Sequence, residues 1–467
     1  MFYSYLEVML SDIPFAFLQN KEYFLLFSLL VASTIVLVVI IIHYDFSFLY
    51  IKCMIRRFII IHVFKRLLDL GSRIIDPMNV LASFDRKALC DIQMTNNTLL
   101  AKILQNNHSC AFYRDRSISF LSFCDRKTGE YESIDEFQEK VPLTTYEDYH
   151  SYVNRIVENG EQNVLTPNKI AYLVTSSGTT GRKKMIPRSA STIKSSIMLT
   201  HTGFSKILMS LPSVSSSPKH KSFVLISGKR LELFQKCKNG TPIGPLSLWR
   251  SAIPCNFIMK LALNSFDLLS YDLIEEIQDF ETSTFVQLVF ALAIPDIYNY
   301  VILFAPSFIH TIKIIEKYSE EISLCIINAN FDHSSLVQNN ITDLQLKIQL
   351  GQALKEVTVE YGGLKYQRER AEQIRIECMK KDNYGILHRL WPNLAYACTV
   401  LGGSFAIHRD EIQRYCGKRL PLINLPIYSG SEGMFGFLVN SHTDEYFLLP
   451  TYAFFEFIDE EDICQVN

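Results

Sequence analysis

Residues 24–42, FLLFSLLVASTIVLVVIII, contain no charged residue, no glycine and no proline. An α-helix rises about 1.5 Å per residue, so these nineteen residues are just long enough to cross a hydrocarbon core of about 30 Å. The run is also longer than the apolar part of a cleaved signal peptide, which usually has about 7–15 residues. It therefore predicts one N-terminal transmembrane helix, and a buried core helix is the alternative.

Basic residues flank this apolar run unequally. Lys21 lies close on the N-terminal side, whereas the C-terminal side carries Lys52, Arg56, Arg57, Lys65 and Arg66. The positive-inside rule therefore predicts a single-pass protein whose large C-terminal part faces the cytoplasm. We expect the membrane to be that of the endoplasmic reticulum or another internal compartment.

These signals divide the chain into four parts. They are an N-terminal tail (1–23), the transmembrane helix (24–42), a basic and apolar juxtamembrane segment (43–75) and one large domain (76–467). Asn-X-Ser/Thr triplets acquire sugars only in a lumen, so we expect the triplets of a cytoplasmic domain to stay unmodified. The triplets begin at Asn96, Asn107, Asn239 and Asn340.

Composition narrows the class of protein. Hydrophobic residues make up 48% of the chain, which is enough to bury a large core, and the formal net charge is −2. Nucleic-acid binding normally requires a basic face, so we expect no nucleic-acid partner. The eleven cysteines are scattered without a C-x-x-C pair, which indicates free thiols and not a disulfide framework or a zinc site.

Local patterns after the membrane run predict a mixed α/β domain. Thr144 and Glu147 have the spacing of a capping box, and the helix that they begin should end at Asn159 and Gly160. The apolar run 171–176 predicts a buried strand, and the periodicity of residues 191–211 predicts a helix. Residues 305–322 predict another helix, and we expect Ser307 to cap its N-terminus.

A hydroxyl- and glycine-rich stretch, SSGTTGRKK, follows the predicted strand. Its glycines let the backbone turn sharply, and successive N–H groups in such a turn bind anions. Its last lysine supplies the positive charge that a triphosphate requires, although the glycine spacing differs from that of the kinase-type P-loop. The stretch predicts a phosphate-binding loop, with an ordinary turn as the alternative. The residues assigned to this loop are Ser176, Ser177, Gly178, Thr179, Thr180, Gly181 and Lys184.

This stretch resembles the phosphate loop of the adenylate-forming enzymes, [ST]-S-G-[ST]-[ST]-G-x-P-K, with Lys183 in place of the proline. Residues 428–432, YSGSE, resemble the second motif of those enzymes, Y-x-x-[ST]-E. Together with VPLTTYEDY, FAPSF, LWPNLAY, YSGSEGMFG and TYAFFEFI, they are similar to the Gretchen Hagen family of acyl-acid amido synthetases. The resemblance extends from about Val141 to Ile458.

The resemblance implies a fold and a reaction. The fold is the large-domain core of an adenylate-forming enzyme, with mixed sheets and flanking helices. The reaction uses ATP and Mg²⁺ to activate a small carboxylic acid as an acyl-adenylate and then joins the acid to an amino acid. The catalytic residues would be Lys184 and Glu432, of which Glu432 would bind Mg²⁺. Arg188 lies beyond the phosphate loop, and we expect its replacement to affect ATP binding little.

The resemblance also assigns nucleotide contacts outside the first loop. Those in the second motif are Tyr428, Ser429, Gly430 and Ser431. Gly402 and Gly403 resemble a glycine pair near the adenine and acyl pocket, with a plain bend as the alternative. Phe454 stands where the family usually has tyrosine, so a hydroxyl contact to the nucleotide would be lost and core packing is the alternative.

The chain differs from the family pattern at its C-terminal end. Family members continue into a ribose-binding aspartate, a hinge and a small lid domain, none of which we recognise before Asn467. Two alternatives to a complete enzyme therefore stay open. One is a non-catalytic, membrane-tethered protein that binds a nucleotide or an acyl group, and the other is an incomplete version of a longer enzyme.

Overall fold

The computed structural model describes residues 91–118, 137–138, 141–176, 183–209, 211, 221–226, 235–246 and 268–459. The predicted transmembrane helix and the juxtamembrane segment lie outside these ranges. Within these ranges, no helix is both long and apolar enough to cross a bilayer.

Helices and strands alternate through the described ranges. The helices are α1 (Ile92–Asn107), α2 (Ala111–Asp115), α3 (Tyr146–Asn159), α4 (Ala190–Met209), α5 (Tyr271–Glu275), α6 (Phe280–Ala293), α7 (Ala305–Lys317), α8 (Ser319–Asn328), α9 (Ser335–Asn340), α10 (Leu344–Glu360), α11 (Gly363–Met379), α12 (Ile386–Leu390) and α13 (Arg409–Cys416). The strands are β1 (Ile170–Thr175), β2 (Met185–Ser189), β3 (Lys221–Val224), β4 (Gln235–Lys236), β5 (Pro242–Gly244), β6 (Ile297–Phe304), β7 (Tyr396–Val400), β8 (Leu422–Asn424), β9 (Ile427–Ser429), β10 (Met434–Leu438) and β11 (Tyr446–Leu448).

A parallel sheet with the order β3-β6-β7-β8 lies in the largest hydrophobic core. Its central strands, IYNYVILF and YACTV, are almost continuous apolar runs because helices cover the sheet. The carboxyl ends of these parallel strands meet at one edge, which is where open α/β sheets bind ligands. The mixed α/β architecture predicted from the sequence is confirmed.

Two further sheets carry the hairpins that hold the predicted motifs. The first has the order β2-β1-β5-β4, and β1 and β2 are antiparallel neighbours. The other has the order β11-β10-β9 and is antiparallel throughout. The apolar run before the second motif is divided between two sheets: its strand β8 joins the parallel sheet and its strand β9 joins the antiparallel one.

Helix α4 connects the first hairpin to the antiparallel sheet. Leu199 in this helix packs with Met434, Phe437 and Leu449 in one buried cluster. At Gly203 the helix approaches the sheet so closely that an added Cβ would lie 2.7 Å from the Phe437 ring. A side chain at this position would therefore force the helix and the sheet apart.

Helix α6 is buried, and polar side chains from other helices bond its C-terminal carbonyl groups. The indole N–H of Trp391 donates to the carbonyl oxygens of Ala291 (3.1 Å) and Ile294 (3.0 Å). Arg370 Nε donates to the carbonyl oxygen of Leu292 at 2.7 Å, which places a cation at the negative end of the helix dipole. These bonds reach carbonyl groups at the C-terminal end of the helix, where the regular backbone bonding ends, and the Ala291 carbonyl also accepts from the N–H of Ile294 at 3.2 Å.

The predicted helix before the phosphate loop is confirmed, but its N-terminal cap lies one residue later. The N–H of Thr145 donates to the Asp148 carboxylate at 2.8 Å, so the capping box uses this pair and not Thr144 and Glu147. The helix ends as predicted at Gly160, whose φ of 65° is left-handed.

The prediction of one continuous helix capped by Ser307 is wrong. Helix α7 begins at Ala305 after the cap residue Phe304, and Pro306 occupies its first turn. Proline suits this position because its fixed φ is helical and its missing N–H would have had no partner there. The chain leaves helical geometry at Tyr318, where φ is −112° and ψ is 20°.

Candidate nucleotide-binding site

The base of the phosphate loop closes the β1–β2 hairpin. The backbone N–H of Ser176 donates to the carbonyl oxygen of Lys184 at 3.0 Å, and the N–H of Lys184 donates to Oγ of Ser176 at 3.0 Å. This reciprocal pair fixes the two ends of the loop. The remaining assigned residues of the loop, 177–181, lie outside the described residues.

Lys184 lies beside an aromatic side chain from helix α3. Its Nζ is 5.9 Å from the ring centroid of Tyr146, which is within the range of a cation–π contact. The hydroxyl oxygen of Tyr146 accepts from the N–H of Met185 at 2.8 Å. The first turn of α3 thus supports the strand from which the loop lysine projects, a contribution that the sequence motif did not reveal.

The second motif forms the tight turn between β9 and β10. The N–H of Gly430 donates to the carbonyl oxygen of Gly433 at 2.9 Å, which closes the turn around Ser431 and Glu432. A Cβ at Gly430 would lie 2.8 Å from Oε2 of Glu432, so a side chain there would displace the exposed Glu432 carboxylate. Glu432 is exposed, and its carboxylate is the oxygen ligand that Mg²⁺ prefers.

The aromatic residue of the second motif lies on strand β9 beside this turn. Tyr428 is half exposed, and its ring centroid is 5.7 Å from that of Phe435 and 5.5 Å from that of Tyr446. Ser429, the next residue on the strand, is exposed. Both residues therefore have surface available to a ligand at the turn.

Arg188 joins the two hairpins. It lies on β2 and is only 5% exposed, and its Nη1 donates to the carbonyl oxygen of Ser431 at 3.1 Å. Its Nη2 donates to Oγ of Ser196 in helix α4 at 2.7 Å. Burial lowers the pKa of this guanidinium, while the negative charge of Glu432 opposes that change. The sequence placed this residue outside the site, but the structure places it between the two motifs.

Gly402 and Gly403 follow strand β7 at the carboxyl edge of the parallel sheet. Gly403 has a φ of 58°, which glycine adopts without strain. The buried side chain of Asn424 accepts from the N–H of Leu401 at 2.9 Å and donates to Asp444 at 3.0 Å. These bonds hold the bend at the ligand edge of the sheet, and its nucleotide role stays a prediction.

Phe454 makes core packing contacts, which were the alternative to its predicted contact with the nucleotide. It packs against Leu100, Ala101 and Leu104 of helix α1, and its ring centroid is 5.9 Å from that of Phe137 in an edge-to-face arrangement. Its assignment to the nucleotide stays a prediction.

The donor set in the described residues limits how a metal could be held. No group of three or more histidine, cysteine, aspartate or glutamate side chains in these residues is arranged to hold a metal ion. Glu432 is a single exposed carboxylate in a turn with backbone N–H and hydroxyl groups. This arrangement fits Mg²⁺ shared with phosphate oxygens, because Mg²⁺ commonly takes one or two protein carboxylates and completes its shell with phosphates and water. The six described cysteines are free thiols, as predicted.

The fold is that of the acyl acid amido synthetases, which are adenylate-forming enzymes. A solved structure of AtGH3.15 acyl acid amido synthetase in complex with 2,4-DB matches with a TM-score of 0.63 and 24% identity. The match covers 81% of this chain and 60% of that one.

The family model described as the GH3 family N-terminal domain matches residues 84–422, and the chain therefore belongs to the GH3 family. The resemblance to the Gretchen Hagen family is thereby confirmed.

Characterised relatives are distant in sequence and longer than this chain. Indole-3-acetic acid-amido synthetase GH3.17 of Arabidopsis thaliana is 27% identical, over 78% of this chain and 55% of the relative. Jasmonoyl–L-amino acid synthetase JAR4 of Nicotiana attenuata is 24% identical, over 82% of this chain and 61% of the relative. The chain thus spans little more than half of the length of these relatives.

Proposed function

We propose that the protein activates a carboxylic acid with ATP and joins the acid to an amino acid through an amide bond. The observation that carries this proposal is the contact between Arg188 and the Ser431 carbonyl, because it brings the two hydroxyl- and glycine-rich turns together. Family membership supports the same reaction, since the relatives named above are amido synthetases of this type.

Two displacement steps account for this reaction. A carboxylate oxygen of the acid attacks the α-phosphorus of ATP, and pyrophosphate leaves with its bonding electrons. The amine of the amino acid then attacks the acyl carbonyl, AMP leaves, and the amine loses a proton. Both steps need charge neutralisation and alignment and no covalent enzyme intermediate.

The chain's own residues supply the neutralisation and the alignment. Lys184 and the N–H groups of the first loop would bind the departing phosphates, and the turn around Ser431 would contact the α-phosphate or the adenine. Glu432 would hold Mg²⁺, which adds positive charge beside the phosphate oxygens. The Tyr146 ring limits the positions that the Lys184 ammonium can take, which favours one orientation toward the ligand.

The carboxyl edge of the parallel sheet favours an acid with an apolar body. Leu303 and Phe304 at the end of β6 are exposed, and Ile407 in the short 3-10 helix Gly403–His408 after β7 is 81% exposed. The ring of Phe304 is 5.8 Å from that of Phe405, whose N–H bonds the carbonyl oxygen of Gly402. Exposed apolar side chains beside a predicted ligand edge are suited to contact an apolar acid.

Calorimetric titration with Mg·ATP tests the nucleotide site. Lys184→Ala and Glu432→Gln should each lower the affinity by about 1.5–3 kcal/mol, which is roughly 10- to 150-fold. Glu445→Gln is a matched control, because this exposed carboxylate lies in the β10–β11 connection, at the end of the antiparallel sheet opposite the second turn. Equal affinity of wild type and both site variants for Mg·ATP would show that the two turns are ordinary hairpins that do not bind the nucleotide.

Acid-dependent pyrophosphate exchange and mass-spectrometric detection of amide distinguish catalysis from binding alone. A panel should pair aromatic and aliphatic acids with small polar acids, and several amino acids should serve as acceptors. Exchange with apolar acids supports the proposed function. Tight Mg·ATP binding without exchange for any acid would instead support the non-catalytic, nucleotide-binding alternative.

We also propose that residues 24–42 anchor the protein in an internal membrane, with residues 76–467 in the cytoplasm. The charge asymmetry around the apolar run supports this orientation. Among the four glycosylation triplets, Asn239 is the best reporter because its side chain is exposed. Asn96 is a poor reporter, since its amide nitrogen donates to the carbonyl oxygen of Phe455 at 2.8 Å. A mass shift at Asn239 after glycosidase treatment would place the domain in a lumen.

A further inference from the structure

Arg188 is a buried cation whose described hydrogen-bond acceptors are neutral oxygens. Its guanidinium donates to the carbonyl oxygen of Ser431 (3.1 Å), to Oγ of Ser196 (2.7 Å) and, at longer range, to the carbonyl (3.4 Å) and hydroxyl (3.5 Å) oxygens of Thr192. The negative charge of the Glu432 carboxylate acts on the guanidinium through space, and no hydrogen bond joins these two side chains. Within the described residues, therefore, no hydrogen-bonded carboxylate neutralises the positive charge of Arg188.

The acceptors of Arg188 come from separate parts of the chain. Thr192 and Ser196 lie on one face of helix α4, one turn apart, and Ser431 lies in the β9–β10 turn, 243 residues from Arg188 in sequence. Because the planar guanidinium has donors in a fixed fork, it can set the position of the turn relative to helix α4 and strand β2. A single-point donor such as lysine would fix the distance but not the orientation.

Stability alone does not explain a cation at this position. Taking a charged group out of water is unfavourable, and an apolar residue of similar volume in its place is often neutral or stabilising. The helix and the antiparallel sheet also have their own apolar contacts, through Leu199, Phe437 and Leu449. An apolar residue could supply neither the oriented hydrogen bond to the Ser431 carbonyl nor a positive charge beside the turn.

We propose that Arg188 is a positioning residue that fixes the Ser431–Glu432 turn against the base of the phosphate loop, so that both turns contact one Mg·ATP. This inference deepens the proposed function and rests on it. The consequence is that Glu432 depends on Arg188 for its contribution to Mg·ATP binding, although no hydrogen bond joins the two side chains.

The test compares Arg188→Met, Arg188→Lys and wild type in the full chain by calorimetry with Mg·ATP. Arg188→Met should weaken binding about ten- to a hundredfold, and Arg188→Lys should recover part of the loss because it keeps the charge. Arg375→Met is a matched control, since it removes an arginine of helix α11 whose described partners are Glu320 of helix α8 and Glu372 of its own helix. Melting curves without ligand show whether each variant is folded.

A double-mutant cycle with Glu432→Gln separates positioning from a general loss of structure. If Arg188 positions the turn, Glu432→Gln should lower the affinity about tenfold or more in the wild-type background but less than threefold in the Arg188→Met background. Equal effects of Glu432→Gln in both backgrounds, or wild-type affinity in a folded Arg188→Met or Arg188→Lys variant, would overturn the inference and leave the proposed function intact. Absence of Mg·ATP binding in wild type would overturn both.

Discussion

Gly203 provides a test of how helix α4 holds the antiparallel sheet that carries the second turn. A Cβ at this position would lie 2.7 Å from Cδ1 of Phe437 and 3.0 Å from Cγ2 of Ile427. Both distances are shorter than a normal carbon–carbon contact, and Phe437 is only 2% exposed, so its ring has little room to move. Gly203→Ala should therefore overpack this contact.

The expected free-energy change has two opposing contributions. Overpacking a core contact costs about 1–3 kcal/mol, whereas replacing glycine by alanine inside a helix contributes about 0.5–1 kcal/mol of stability. Gly203→Ala should thus destabilise the protein by up to about 2.5 kcal/mol. Gly351→Ala in helix α10 is the matched control, because its Cβ would meet its nearest neighbour, the Ala329 carbonyl oxygen, at 3.7 Å. This ordinary contact leaves the helical gain of about 0.4–1 kcal/mol intact.

Equilibrium urea unfolding of both variants beside wild type, followed by tryptophan fluorescence, measures the two changes. The two variants should shift the unfolding midpoint in opposite directions, and their free energies of unfolding should differ by about 1–3 kcal/mol. Gly203→Ala should also weaken Mg·ATP binding, since the displaced strands carry the second turn. A gain in stability for Gly203→Ala as large as that for Gly351→Ala would refute the argument from close approach.

Three further substitutions test bonds described above. Trp391→Phe should destabilise by about 2–3 kcal/mol in urea unfolding, because it leaves a void and removes the indole N–H from two carbonyl groups at the end of α6. Asn424→Ala should cost about 1–3 kcal/mol in the same assay, because the buried N–H of Leu401 loses its acceptor. Glu320 accepts two hydrogen bonds from Arg375, and these bonds lower the pKa of Glu320 below its ordinary 4.5. The contribution of this pair to the free energy of unfolding is therefore present above about pH 4.5 and is lost as the pH falls through the lowered pKa. Glu320→Gln should therefore destabilise at pH 7, by no more than about 1 kcal/mol for this exposed pair. Unfolding curves at decreasing pH should show this effect shrink as the pH falls below about 4.5 and through the lowered pKa of Glu320, and an effect independent of pH would contradict the assignment.

The second motif could be noticed in the sequence because tight turns such as the β9–β10 turn favour small and hydroxyl residues. At Gly430, for example, an added Cβ would displace the Glu432 carboxylate. Such requirements leave a spacing pattern that can be read without a structure. The GH3 family and the mixed α/β fold followed from those patterns.

Arg188 could not be assigned from the sequence, because its acceptor in the second turn is a backbone carbonyl 243 residues away. A carbonyl group belongs to every residue, so it leaves no side-chain pattern that would associate the two positions. The misplaced helix cap has a different cause. Thr144 and Thr145 are adjacent and both followed by a carboxylate at the required spacing, and only the folded backbone chooses Asp148 over Glu147.

The Asn96 side chain joins helix α1 to the last described stretch of the chain. Its amide nitrogen donates to the Phe455 carbonyl oxygen at 2.8 Å, and its amide oxygen accepts from the Phe455 N–H at 2.9 Å. Phe454 packs on the same helix. Residues 454–459 form no helix or strand, so this one side chain replaces the ladder bonds that a strand partner would provide. Opening of helix α1 at Asn96 and release of Phe455 should therefore occur together. The amide protons of α1 and of Phe455 should then exchange with solvent at one shared rate.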